Sequence, residues 1–249
     1  MIMHTVRYPT YNIIMRFFIT EPISTEKDLV IADAGIGRQV TKVLRKKAGD
    51  EIIVLDGSGN ECVVMIKENK KDVLVCEVLT CTKNSNEPAI PLVLYQSVLK
   101  KDKMEWVFEK GTEIGVSEFV PFLSEHSVKL GINPARAHKI AQEAAEQSRR
   151  GKIPTIADTM LFDAALAHAQ ASGYVTIIAH NIGAFANIRK CGEMTAKAKG
   201  INVFIGPEGG FSEDEIARAS QSGFRVVSLG KRVLRAETAA IVACFSVIS

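Results

Sequence analysis

The sequence predicts an α/β protein in two parts, a small β domain followed by a larger α/β domain. Three observations predict it. Residues 15–83 alternate short β-branched runs with polar turns, the stretch Thr82–Pro91 (TKNSNEPAIP) is polar and carries two prolines, and after Pro91 apolar runs alternate with helical segments. The first pattern is that of an antiparallel meander, the second that of a linker, and the third that of a mainly parallel sheet covered on both faces. The boundaries that follow are 15–83 for the β domain and 88–249 for the α/β domain.

In the β domain, Met15-Arg-Phe-Phe-Ile opens the first strand. Glu51–Asp56, Cys62–Ile66 and Val73–Leu79 supply three more, separated by Gly57–Asn60 and Glu68–Asp72. One helix is expected, over Gly37–Ala48. In the second domain the strand candidates are Leu92–Val98, Glu118–Leu123, Tyr174–Ala179, Asn202–Ile205 and Arg225–Leu229. Helix signals stand between them: Asp102 with Glu105 as a capping pair, Asn133-Pro134 as N-cap and N1 with Gly151 as stop, and Ser212 with Glu215 as a capping box with Gly223 as stop. Met104, Val107, Phe108 and Ile114 recur at helical spacing and read as core, and Gly111 reads as a close-packing position.

Composition narrows the function classes. The 249 residues hold 31 Lys+Arg against 28 Asp+Glu, a net charge of +3 that announces no nucleic-acid binder by its total. The five cysteines are odd in number and form no CxxC pair, which argues against a structural zinc site and a secreted disulfide framework and predicts reduced thiols in a cytoplasmic protein. No apolar run approaches the ~20 residues of a membrane span. Residues 1–14 (MIMHTVRYPTYNII) make a poor signal peptide and read as an upstream extension, with Met15 a candidate natural start.

Two glycine-bearing strand ends lie in the last fifty residues: Val203-Phe-Ile-Gly-Pro-Glu-Gly-Gly-Phe-Ser-Glu-Asp-Glu-Ile216, and Val226-Val-Ser-Leu-Gly-Lys-Arg-Val-Leu-Arg-Ala-Glu-Thr238. Ligands of open α/β sheets sit beyond the carboxyl ends of strands, where glycine lets the backbone approach closely. The spacing is neither GxGxxG nor a P-loop, and GxSxG, HExxH and paired His ligands are absent, so nucleotide hydrolysis and metal chemistry are disfavoured and no metal is expected.

GPEGGFSEDEI at Gly206–Ile216 and LGKRVLRAETAA at Leu229–Ala240 resemble the two signature loops of the RsmE family, ribosomal RNA uridine-N3 methyltransferases of the SPOUT superfamily. Lys100–Val116, Ala145–Arg150, Val43–Arg45, and Gly49-Asp50 ahead of Asp56-Gly57 match in family order, so that the resemblance runs from about Met15 to the chain end. It implies a PUA-like RNA-binding β-barrel, a SPOUT domain closed by a deep trefoil knot, S-adenosylmethionine as cofactor, a homodimer, and methylation of a uridine N3 in 16S ribosomal RNA of the small subunit or the 30S particle. A knot is nothing that periodicity would suggest, since true knots are almost absent from proteins. A SPOUT enzyme acting on another RNA, and a catalytically idle RNA-binding assembly protein, remain alternatives at this point.

The resemblance also distributes roles. Arg235 is the candidate cation for charge on uracil O2 or O4, Glu237 a base or an orienter of Arg235, and Thr238 a hydrogen-bonding partner. Ile205, Gly206, Pro207, Glu208, Gly209, Leu229, Gly230, Val233 and Leu234 would enclose the cofactor, with His180 and Asn181 at the end of the preceding strand. Arg38, Lys42, Arg45, Lys46 and Lys47, five cations within ten residues, are expected to contact RNA phosphate, as are Arg149 and Arg150. Glu146 and Arg150, at i and i+4, are the expected ion pair there.

Overall fold

The computed structural model describes residues 15–24, 28–127, 131–180, 186–188 and 197–248. The extension 1–14, Asn181 and Cys191 lie outside the described residues. The chain divides after Asn84 into two compact units.

The first unit is a five-stranded half-barrel of β1 (Arg16–Phe18), β2 (Leu29–Ile31), β3 (Glu51–Leu55), β4 (Asn60–Lys70) and β5 (Val73–Lys83), in the order β1-β3-β4-β5-β2. The β3-β4-β5 meander is antiparallel as the turn pattern predicts, but β1 runs parallel to β3. Alternate residues face the core: Cys62, Val64 and Ile66 of β4 are buried against Phe17, Ile31, Ile52, Val54 and Leu74.

The expected helix Gly37–Ala48 is shorter and irregular. Asp33 caps α1 (Ala34–Arg38), accepting from the N–H groups of Gly35 and Ile36 at 2.6 and 3.1 Å. The chain continues as a π-helical turn, Gln39–Val43, and stops where Arg45 takes φ 56°, a left-handed conformation no α-helix tolerates. Gly37 is the fixed point of this segment, since a side-chain carbon there would fall on the carbonyl oxygen of Asp72.

The expectation of five reduced thiols is corrected here. Cys62 and Cys81 face each other across β4 and β5 with Cα atoms 4.1 Å apart, and they form a disulfide. Positions that pair directly on antiparallel strands bring two Cβ atoms within bonding reach. Cys76 and Cys244 are free and buried.

The second unit contains β6 (Leu92–Ser97), α2 (Lys101–Glu113), β7 (Glu118–Leu123), α3 (Pro134–Gln147), β8 (Thr155–Ile156), β9 (Met160–Leu161), α4 (Phe162–Ser172), β10 (Val175–Ala179), β11 (Ala186–Asn187), β12 (Ile201–Ile205), α5 (Glu213–Gln221), β13 (Arg225–Ser228) and α6 (Ala236–Ile248). Its strands run in the order β11-β13-β10-β12-β6-β7-β8, with β9 also on β7, and every described pairing is parallel. The central strands are buried on both faces: Leu92 and Leu94 of β6 join one core with α2, α3 and α6, while Val93 and Tyr95 join the other with α4 and α5. In sequence order β12 enters late, between β10 and β6, and β13 then goes to the far side of β10.

Caps explain most helix limits. Asn133 accepts from the Arg136 N–H at 3.1 Å with Pro134 following, and Ser212 and Glu215 form the reciprocal capping box. Two expectations fail. Asp102 lies inside the first turn of α2, whose N-cap is Lys100 without a side-chain bond, and α3 stops at Gln147, four residues before Gly151. The left-handed Arg149, at φ 64°, ends it.

The Thr82–Pro91 segment is more than a linker. Thr82 and Lys83 belong to β5, and Glu87 anchors the second unit through Arg150. This overturns the expectation that Arg150 meets RNA and pairs with Glu146. Arg150 is 2% exposed; its Nη2 and Nε donate to the Glu87 carboxylate at 2.8 and 3.3 Å, and Nη1 donates to the carbonyls of Thr112 and Val116 at 3.1 and 2.6 Å. Glu146 accepts instead from Gln142 at 3.2 Å. Arg149, by contrast, is exposed.

Candidate active site

Three adjacent parallel strands, β13, β10 and β12, end at one edge of the sheet, and a cavity of about 610 Å³ lies beyond them. Its walls come from Ala179 and His180 after β10, from Ile205–Phe211 after β12, and from Leu229 and Val233–Ala236 after β13, with Ala239 of α6 and Lys103 of α2. Each wall has a local cause. The buried run of β12 is stopped by Gly206-Pro207, and the Gly210 N–H closes a turn on the Pro207 carbonyl at 2.9 Å before the capping box starts α5. At Gly209 the chain passes 2.9 Å, measured from where a Cβ would stand, from the Cβ of His126, so any side chain would displace the loop that follows β7. That loop is tied down further, since the Glu125 N–H donates to Glu215 at 3.0 Å and the His126 ring contacts the Gly210 carbonyl at 3.2 Å. After β13, the Ser228 hydroxyl accepts from the Gly230 N–H and donates to the Gly230 carbonyl, both at 3.2 Å, which turns the chain toward α6.

Arg235 holds the N-terminus of α6: its carbonyl accepts the first helical bond, from the Ala239 N–H at 2.8 Å, and its side chain is at the exposed rim of the cavity. Glu237 follows in the first turn, where the helix dipole favours a carboxylate. Its Oε2 is buried, receives no hydrogen bond, and lies 3.8 Å from the Lys103 Nζ. The same ammonium donates to Glu208 Oε1 at 2.8 Å.

The ionisation states follow from these contacts. The hydrogen bond to Glu208, opposed by desolvation and aided by the charges of Glu208 and Glu237, raises Lys103 above the ordinary lysine value, so it is a fixed cation and no base. For Glu208 desolvation acts upward, but the Lys103 hydrogen bond, a backbone hydrogen bond and the charges of Lys103 and Lys100 outweigh it and hold the carboxyl below its ordinary value. Burial lowers His180, leaving its ring neutral at pH 7.

The structure thus gathers most of the sequence-derived site. His180, Ile205, Gly206, Pro207, Glu208, Gly209, Leu229, Val233, Leu234 and Arg235 all line the cavity. Gly230, Glu237 and Thr238 do not line it; Gly230 shapes the loop, and Glu237 turns toward α2. Sequence reasoning missed Lys103. Its signals are its place in the Lys100–Val116 block that matches the family and its position near the start of the helix that follows β6, on the side of the sheet where the two glycine loops also end.

In the first unit, Arg38, Lys42, Arg45 and Lys47 are exposed and Lys46 half-buried, on the short segment around the π-helical turn. Lys42 Nζ stands 3.9 Å from Asp72. Among the described residues no group of three His, Cys, Asp or Glu could hold a metal ion, and no helix is long and apolar enough to cross a membrane.

Comparison with known proteins agrees with this geometry. The family model of the RNA methyltransferase domain matches residues 85–248, and that of the RNA methyltransferase PUA domain matches residues 40–77. Ribosomal RNA small subunit methyltransferase E of Bacillus subtilis is 32% identical over 219 residues, 82% of this chain and 83% of the relative. The crystal structure of ribosomal RNA small subunit methyltransferase E from Neisseria gonorrhoeae bound to S-adenosyl methionine superposes with a TM-score of 0.81 at 28% identity, covering 93% of this chain and 95% of that one. A Legionella pneumophila methyltransferase in complex with the same cofactor gives 0.80 at 26% identity, with 92% and 95% covered. Fold and cavity together define a SPOUT-type RNA methyltransferase preceded by a PUA-like domain. Within that class, the chain belongs to the ribosomal RNA small subunit methyltransferase E family.

Proposed function

We propose that this chain transfers the methyl group of S-adenosylmethionine to N3 of a uridine in 16S ribosomal RNA, as a homodimer in the cytoplasm. The observation that carries the reading is the cavity beyond β10, β12 and β13, walled by the two family loops and rimmed by Arg235. The residues present fit the cofactor. The volume of about 610 Å³ lies within the ~300–1,000 Å³ of small-molecule sites, and the walls combine apolar side chains with backbone of Gly206–Gly210. No phosphate cradle is present and none is needed, because this cofactor has no phosphate.

When bound, the cofactor supplies a methyl carbon activated by a sulfonium. The protein must align the uridine in line with that carbon and favour loss of the N3 proton. Arg235 favours the proton loss. As N3 gives up its proton to solvent at the open mouth, charge spreads to O2 and O4, and a permanently charged guanidinium at the rim donates to those oxygens. Alignment falls in part to the cations Arg38, Lys42, Arg45, Lys46 and Lys47, with Arg149, which grip phosphate without reading sequence.

The dimer reading has its own support. α6 is apolar nearly all round, yet Val242 and Phe245 are 37% and 59% exposed, and a helix of this kind is normally covered. A second copy of the chain supplies that cover.

The test uses methyl-labelled cofactor, the purified chain and small subunits from cells lacking the gene, followed by nucleoside analysis. Label on N3 of uridine is the expected result. Absent label, or label on ribose or another base, overturns it.

A further inference from the structure

We infer that Lys103 is a positioning residue that keeps Arg235 available for the substrate by engaging the carboxylates that would otherwise neutralise it. The inference rests on the role proposed above for Arg235.

Four charged groups meet at the mouth of the cavity: Lys103 on α2, Glu208 after β12, and Arg235 and Glu237 at the start of α6. Lys100 adds its charge from beside α2. Arg235 and Glu237 are two residues apart, and an arginine fork is the natural partner of a carboxylate. That pair does not form. Among the described residues Arg235 has no carboxylate within 4.0 Å, whereas Lys103 has two, Glu208 at 2.8 Å and Glu237 at 3.8 Å. The Glu237 oxygen on this side is buried and takes no hydrogen bond, so the Lys103 ammonium is what balances its charge. It is held in place by its hydrogen bond to Glu208, and its side chain is only 26% exposed.

The arrangement has a chemical consequence. Lys103 engages both carboxylates, and a guanidinium without a carboxylate partner donates to a developing uracil anion at full strength. Without Lys103, the largely buried Glu237 loses the ammonium 3.8 Å away and is free to turn to Arg235, two residues before it. Pairing with it would spend the donors the reaction needs. Lys103 acts through its neighbours.

The test compares Lys103→Met, Lys103→Met/Glu237→Gln and Arg235→Ala with the parent, using methyl transfer to small subunits under saturating cofactor and calorimetry for cofactor binding. Lys103→Met is expected to lower kcat at least tenfold while cofactor affinity moves less than threefold. Removing the carboxylate as well is expected to restore at least a third of the parent kcat. A lysine that merely buttresses the fold gives no such rescue, so a double variant no faster than Lys103→Met overturns the inference, as does a Lys103→Met enzyme within twofold of the parent. Arg235→Ala is expected to be inactive. If it retains parent activity, the Arg235 reading itself falls; if it is dead while Lys103→Met is unaffected, only the inference on Lys103 does.

Discussion

Replacing Arg150 with methionine separates the two readings of this residue, because a phosphate contact and a buried anchor fail differently. The guanidinium is 2% exposed and makes four hydrogen bonds, two to Glu87 and two to the carbonyls of Thr112 and Val116. Methionine keeps much of the apolar stem and removes every donor. The Val116 carbonyl loses its partner at about 1–2 kcal/mol, and the Thr112 carbonyl, which keeps the Gly115 N–H at 3.1 Å, loses about 0.5 kcal/mol. Glu87 loses its charge partner but keeps the N–H groups of Gly151 and Lys152 at 2.9 and 3.1 Å and is 22% exposed, so its share is nearer 1–2 kcal/mol than the ~3–5 kcal/mol of a fully buried broken pair. The total is about 3–4 kcal/mol. At ~2–4 °C per kcal/mol for a chain of this size, Tm should fall by about 6–16 °C. Thermal denaturation followed by circular dichroism reads the fall, and RNA affinity is measured well below the new midpoint, where it should match the parent. A variant whose Tm moves by less than about 2 °C while RNA affinity drops would refute the burial argument and reinstate the phosphate contact.

Three further outcomes follow from other parts of the structure. Gly37→Ala drives a methyl group into the Asp72 carbonyl and should cost the first unit about 2 kcal/mol or more, read as faster hydrogen exchange in β3–β5 with α2–α6 unchanged. Combined Arg38→Ala, Lys42→Ala and Arg45→Ala should weaken RNA binding and reduce its salt slope by up to ~3, and an unaltered slope would remove these cations from the interface. Glu208, held below the ordinary carboxylate value, lends stability that is complete at neutral pH and is lost as pH falls through its lowered value. The Tm gap between the parent and Glu208→Gln should therefore be widest at neutral pH and shrink as pH falls below the ordinary carboxylate value of 4.5, and a gap independent of pH would contradict the pairing with Lys103.

Legibility in the sequence followed the range of the interaction. Strand β7 spans Glu118–Leu123 as the apolar run does, and the Ser212–Glu215 box sits where its spacing puts it, because both are fixed by residues a few positions apart. Arg150 and Lys103 were misread or missed because their partners lie 63 and 105 positions away, and a local window sees only cations at helix ends. The Cys62–Cys81 bridge failed for a related reason: its spacing of 19 carries no motif, and only the β4–β5 register makes the two residues face each other. Capping by Asp102 failed because α2 begins one residue after Lys100, which places Asp102 within the turn rather than before it.

The site loops were legible for a reason that the topology supplies. β12 leaves β10 toward β6, and β13 returns to the opposite side of β10, so the connections beyond these strands diverge and a crevice opens at their carboxyl ends. A crevice formed by diverging backbone is lined mainly by main chain and small residues, and here these are Gly206, Pro207, Gly209 and Gly210 with the aliphatic Leu229 and Val233. Such positions tolerate few substitutions and stand contiguously in the chain, and therefore show as a motif. The charged mouth is different. It draws one residue from each of several elements, Lys103, Glu208 and Glu237 among them, and each alone looks like an ordinary surface charge until the fold brings them within 4 Å of one ammonium.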